Sequence, residues 1–148
     1  MNKEIFTALC EHIQKNVPEI RWIDFDTGQL NIASERPPVD WPCCLIDISY
    51  PSCRDLAVED NMQLVNADIT LRVAFVPAGE THHRAPADVR KQALKMFDIV
   101  EKLHSALQGE TFKDTVSGLS RSRANKQTRN NKVVVFNITY TTTFQEYI

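Results

Sequence analysis

Lys132–Tyr147 reads KVVVFNITYTTTFQEY. Nearly every residue in it is β-branched or aromatic. Val134, Phe136, Ile138, Tyr140, Thr142 and Phe144 fall on one side of an extended chain, and Val133, Val135, Asn137, Thr139, Thr141 and Thr143 on the other. A period of two marks a strand with one face on a core. Ordinary strands run roughly 5–6 residues, so this one is long. The threonine-rich second side is odd for a fully solvated surface, and predicts that this face meets something else, another sheet or another subunit.

Working backwards, the strand is preceded by RSRANKQTRNNK, the most basic run of the chain. Residues 113–132 hold six basic residues against Asp114 alone, a local charge of +5, while residues 1–112 carry 11 bases against 17 acids, a charge of −6. Such polarity suits a protein that packs against copies of itself or steers an acidic partner. Leu119–Ala124 is expected as the strand opposite the C-terminal one, with ANKQTRNN as the turn, and Thr111–Val116 as a short strand or a loop.

The helices are legible from spacing. Ile5, Phe6, Leu9, Cys10 and Ile13 form an apolar stripe within 3–16, and Pro18 ends the helix. A longer helix is predicted over 87–108. Pro86 stands at its start, Gly109 at its end, and Val89, Ala93, Met96, Phe97, Val100, Leu103, His104 and Leu107 lie along one side. Ile20–Phe25 and Gln29–Ala33 alternate around Asp26-Thr27-Gly28, which predicts a β-hairpin. The proline-rich SERPPVDWP is expected as an extended linker, with Trp41 at the core's edge. Cys43–Tyr50 is predicted as a strand ended by Pro51, 52–61 and 77–86 as loops, and Met62–Val76 as a second long strand. The expectation is α+β: one mainly antiparallel, or mixed, sheet of about five to six strands with two helices on one face. The 148 residues are one domain's worth, 1–148, without internal repeats. No apolar run is long enough to cross a bilayer or to serve as a signal peptide. The chain therefore reads as cytoplasmic, its four cysteines as reduced thiols.

Catalytic chemistry finds little footing. The four glycines form no phosphate-cradling motif. His82, His83, Cys43, Cys44 and Cys53 match no zinc spacing, and adjacent Cys43 and Cys44 point to opposite faces if extended. Cys53 and His104 are the nearest approach to a nucleophile and base, but His104 reads better as a packing residue at the edge of a helix stripe. Asp24, Asp26, Asp40, Glu59 and Asp60 are scattered through turns; Asp47, mid-strand, calls for a partner such as an arginine if buried. The basic run lacks the interleaved aromatics of a base-stacking surface. Phosphate contact by it is therefore the weaker alternative to protein contact.

The arrangement resembles a known family. The pieces that carry the likeness are RPPVDWPCCLIDI, the strand NMQLVNADITLRVAF followed by the helix ADVRKQALKMFDIVEKLHSALQG, and the closing VVVFNITYTTTFQEY. This layout resembles the tail terminator, or tail-completion, proteins of tailed bacteriophages and prophages. The resemblance implies an α+β subunit of a ring, commonly a hexamer, that caps the finished tail tube and joins it to the head connector. It implies no enzyme activity, no cofactor and no metal. The partners would be copies of itself, tail-tube and head-connector proteins, with no membrane. The protein would be found in the bacterial host's cytoplasm during assembly and then in the virion tail. From the sequence itself, Arg121, Arg123, Lys126 and Arg129 are the expected protein-interface residues, with the 52–61 and 78–86 loops as second choices. The alternative function is a nucleic-acid-binding accessory protein using the basic arm 121–132.

Overall fold

The computed structural model describes residues 3–31, 37–57, 61–112, 115–129 and 132–147. The chain forms α1 (Lys3–Asn16), β1 (Trp22–Phe25), a 3-10 turn (Gln29–Asn31), β2 (Cys43–Ala57), β3 (Met62–Phe75), α2 (Ala87–Ala93), α3 (Lys95–Leu107), β4 (Ser120–Thr128) and β5 (Val134–Tyr147). The strands make one sheet in the order β1-β2-β3-β5-β4. All its pairings are antiparallel except β1 with β2, which is parallel. The α+β class with a mixed five-stranded sheet is thus realised.

The long strand sits next to the sheet's centre in this order. β5 pairs with β3 along its whole length, from Phe75 opposite Val134 to Met62 opposite Tyr147, and with β4 on its other side. Its even-numbered side chains share the main core with β3: Ile138, Tyr140 and Phe144 lie with Val65, Ile69, Leu71 and Val73, under Ile5, Leu9 and Ile13 of α1 and Leu103 and Leu107 of α3. Both helices lie over this one face because their apolar stripes have nowhere else to be buried. A second, smaller cluster lies on the other face. There Cys43, Leu45, Ala74, Val133 and Val135 are covered by Leu30, Val39 and Trp41. Cys44 belongs to the main core and Cys43 to the second cluster, as alternation requires.

Four expectations need correction. Residues 20–31 do not take the form of the expected hairpin. After β1 the chain turns at Gly28, whose φ is +87°, into the 3-10 turn. Asp26 accepts the Gly28 N–H, and Gln29 donates to the Phe25 carbonyl. β1 pairs in parallel with β2. Residues 32–33 of the expected second strand, and 34–36 of the linker, lie outside those described. Next, Pro51 does not end β2. The strand passes through an irregularity between Ser49 and Ser52 and runs on to Ala57; β2 has no sheet partner on its outer side there among the described residues, so Pro51's missing N–H breaks no ladder. Residues 58–60 of the loop expected over 52–61 lie outside the described set.

The long helix is interrupted. Leu94, at φ −84° and ψ −3°, ends α2 and begins α3. Val89 and Phe97, placed on the buried stripe by spacing, are exposed, Phe97 to 45%. Finally, ANKQTRNN is mostly strand: β4 continues through Thr128, and the reversal follows at Arg129–Lys132, with Lys132 at φ +65°. Residues 113–114 and 130–131 are not among those described.

Candidate functional site

The interface residues expected from sequence lie on β4 or just beyond it, and β4 is the sheet's edge. All nine of its residues are exposed. Their directions follow from the register with β5. Arg121 stands opposite Tyr140 and Arg123 opposite Thr139, so Ser122 is an extra residue, a β-bulge. In a regular strand Arg121 and Arg123 would share a side. The bulge puts them on opposite sides, because their partners are consecutive residues of β5. Lys126, opposite Phe136, returns to the helix side, whereas Asn125 and Gln127 share the open side with Arg123. The basic arm is therefore two surfaces.

On the helix side Arg121 is exposed while its backbone is anchored. Its backbone N–H donates to Oε1 of Gln108 at 3.0 Å. Beside it, Nδ1 of His104 is 2.7 Å from the Tyr140 hydroxyl, and the two rings are stacked. Burial pushes the Tyr140 hydroxyl up to about 12, with the Arg121 charge opposing. Burial, then the Arg121 charge, lowers the His104 pKa. Tyr140 therefore stays protonated beside a neutral imidazole, and the imidazole tautomer sets which of the two donates. Lys126 lies across from Phe136, whose ring is met edge-on by Phe75 and Phe97.

The open side is a basin of about 510 Å³. Arg72 of β3, Arg123 of β4 and Arg129 face it together, among the amides of Asn31, Asn125, Gln127 and Asn137 and the hydroxyls of Thr70 and Thr139. Cross-strand bonds set this surface. Nδ2 of Asn137 donates to Oδ1 of Asn125 at 2.9 Å, and the Thr70 and Thr139 hydroxyls are 3.1 Å apart. Thr139 is only 4% exposed beneath its neighbours. None of the described lining residues is acidic. Arg72 is already paired with Asp26 at 3.3 Å, both side chains largely buried. Arg129 donates to Oδ1 of Asn31, also at 3.3 Å. Among the described residues no carboxylate lies within ion-pair distance of Arg123 or Arg129. The basin thus holds two guanidiniums without a carboxylate partner among the described residues and a set of neutral hydrogen-bonding groups, a surface that receives anions.

The sequence found Arg123 and Arg129, and put them in one group with Arg121 and Lys126. It missed Arg72 and the amide and hydroxyl floor. The available signal was the polar alternation Asn66, Asp68, Thr70, Arg72 in β3, which gives this strand an open side as polar as that of β5. The condition under which Asp47 would need a partner is not met: Asp47 is exposed, and the mid-sheet arginine, Arg72, serves Asp26.

The other chemistry considered stays dispersed. Among the described residues no group of three or more His, Cys, Asp or Glu side chains could hold a metal ion. His82 pairs with exposed Glu80. Burial raises the Cys43 thiol to about 11 and pushes that of Cys44 further up. Cys53 is exposed opposite Val65, and His104's Nδ1 is engaged by Tyr140. Asp24 accepts from the Phe25 N–H and from Gln29. Of the second-choice loops, 52–57 is strand, and in 78–86 the Thr81 carbonyl accepts from Arg90 of α2.

No family model matches the sequence, and no curated protein does. Among solved structures, a chain of the virion of a native gene transfer agent particle is similar to this one. The TM-score is 0.50 at 12% identity, over 93% of this chain and 84% of that one. At that identity the likeness is one of fold.

Proposed function

We propose that this protein is a virion structural protein, the tail terminator of a phage or prophage, which forms a ring that caps the tail tube and meets the head connector. The reading is non-enzymatic. The observation that carries it is the fold shared, over most of both chains, with a virion component. The sheet edge supports it. β4 exposes nine residues with basic side chains on both sides, while the rest of the chain is acidic. Acid and base at different places on one surface favour head-to-tail contacts between copies, and these close into a ring when the rotation fits. The contact residues are proposed to lie within the set Arg121, Arg123, Lys126 and Arg129, on one side of β4 or the other.

Sedimentation and light scattering on the purified chain, alone and with a tail-tube protein, followed by negative-stain imaging, test this. Discrete closed rings are expected. A strict monomer at high concentration under both conditions would discard the reading. The two guanidiniums of the basin also favour a second function, contact with nucleic-acid phosphates. Its mark would be DNA binding that weakens steeply with salt and is lost in Arg123→Ala/Arg129→Ala.

A further inference from the structure

We infer that only one side of the basic arm makes the contact between copies: the open-face basin with Arg123 and Arg129 receives carboxylates from the far end of a second copy of this chain. The inference rests on the ring reading and names its interface.

Three observations carry it. First, the two sides of β4 are unequal. Arg121 stands opposite Tyr140 and near His104, its backbone N–H bonded to Gln108 at the end of α3, and Lys126 stands opposite Phe136 of a packed aromatic group. Arg123 and Arg129 instead face a concavity in which, among the described residues, no acid lines the wall and no helix covers it. Second, the complement lies at the opposite end of the same sheet. Asp55, Gln63 and Glu146 form one cross-strand row, with Gln63 donating to Asp55 at 2.9 Å. Both carboxylates point to the helix side there, and Asp55 is exposed. Third, the two sites cannot meet within one molecule. Glu146 is seven residues along β5 from Thr139 of the basin, roughly 24 Å at about 3.4 Å per residue, and on the other face of the sheet. A contact between them must join two copies and leave one free basin and one free acidic row. That is a heterologous contact, the kind that builds rings or filaments. Basin against basin would set Arg123 and Arg129 against their own copies, so like charge disfavours the symmetric alternative.

Charge reversal separates the outcomes, read by sedimentation velocity at several salt concentrations with circular dichroism as the fold control. Arg123→Glu/Arg129→Glu should raise the dissociation constant for assembly at least about tenfold, and Arg121→Glu/Lys126→Glu should change it less than about twofold. Asp55→Lys/Glu146→Lys should weaken assembly as the basin variant does. Combining both reversals in one chain should restore it. Should a reversed variant lose its fold, Arg123→Gln/Arg129→Gln takes its place. Equal weakening from the Arg121/Lys126 pair overturns the inference, as does failure of the combined variant to recover. If the unmodified protein assembles and the basin variants assemble equally well, the basin is not the interface, though the ring reading survives. If those variants instead lose only salt-sensitive DNA binding, the basin belongs to nucleic acid. If the unmodified protein never assembles, with or without tail-tube protein, both ideas fail together.

Discussion

Phe136 and Phe144 show how much a single position depends on packing that the strand's alternation does not reveal. Both lie on the core side of β5. Phe144 is 0% exposed, with the Tyr50 ring edge-on to it, whereas Phe136 is only partly buried between Phe75 and Phe97. Phe144→Ala should therefore cost about 3–5 kcal/mol, and Phe136→Ala less, in denaturant melts. The thiols are sorted by the same burial. An aromatic disulfide reagent should label Cys53 first, leave Cys43 and Cys44 unreacted in the native protein, and reach all four cysteines after denaturation. His104 gives a pH signature. Its pKa is lower folded than unfolded, so protons bind the unfolded chain preferentially. Its contribution to stability is complete above about pH 6.5 and declines as pH falls through that value toward the folded pKa. The difference in stability between the protein and His104→Asn, followed from about pH 8 to 5, should shrink in that direction.

At the scale of the element, the features that matter most are breaks in regularity. The Ser122 bulge turns one run of arginines into two surfaces, and Leu94 turns one predicted helix into two. Neither break is marked by glycine or proline, so the local sequence reads as continuous. A third such place is the approach to β4. There Gly109 donates its N–H to the Leu119 carbonyl, and the Leu119 N–H donates to that of Glu110. A Cβ on Gly118 would sit 2.6 Å from the Gly109 carbonyl oxygen, so Gly118→Ala must shift backbone. It should destabilise the fold by about 1–3 kcal/mol, and loosen the junction between α3 and β4 as seen by amide exchange.

For the whole molecule, the two faces of the sheet divide the labour. One face, α1 and α3 make the main core. The other keeps a small apolar cluster at one end, under Trp41 and Leu30, and leaves a polar surface beyond it. Assembly through that polar surface should weaken with salt, because it depends on charge rather than buried apolar area. Raising sodium chloride from about 0.05 to 0.5 M should shift sedimenting species toward monomer, while the unfolding midpoint moves little.

Periodicity and composition by themselves determined the α+β class, both long strands, the core-facing side of β5, the first helix and the presence of a basic arm. They did so because burial follows a repeat of two or 3.6 residues that side-chain chemistry writes directly into the sequence. Only the tertiary structure decided the rest. β1 pairs with β2 in parallel, while Gln29–Asn31, expected to begin its hairpin partner, form a 3-10 turn. Pro51 is tolerated because β2 has no outer sheet partner there among the described residues. Above all, a single bulged residue sends Arg121 toward α3 and Arg123 into the basin. Direction across a sheet is fixed by the register of the neighbouring strand, and register is a relation between segments that neither segment's sequence contains.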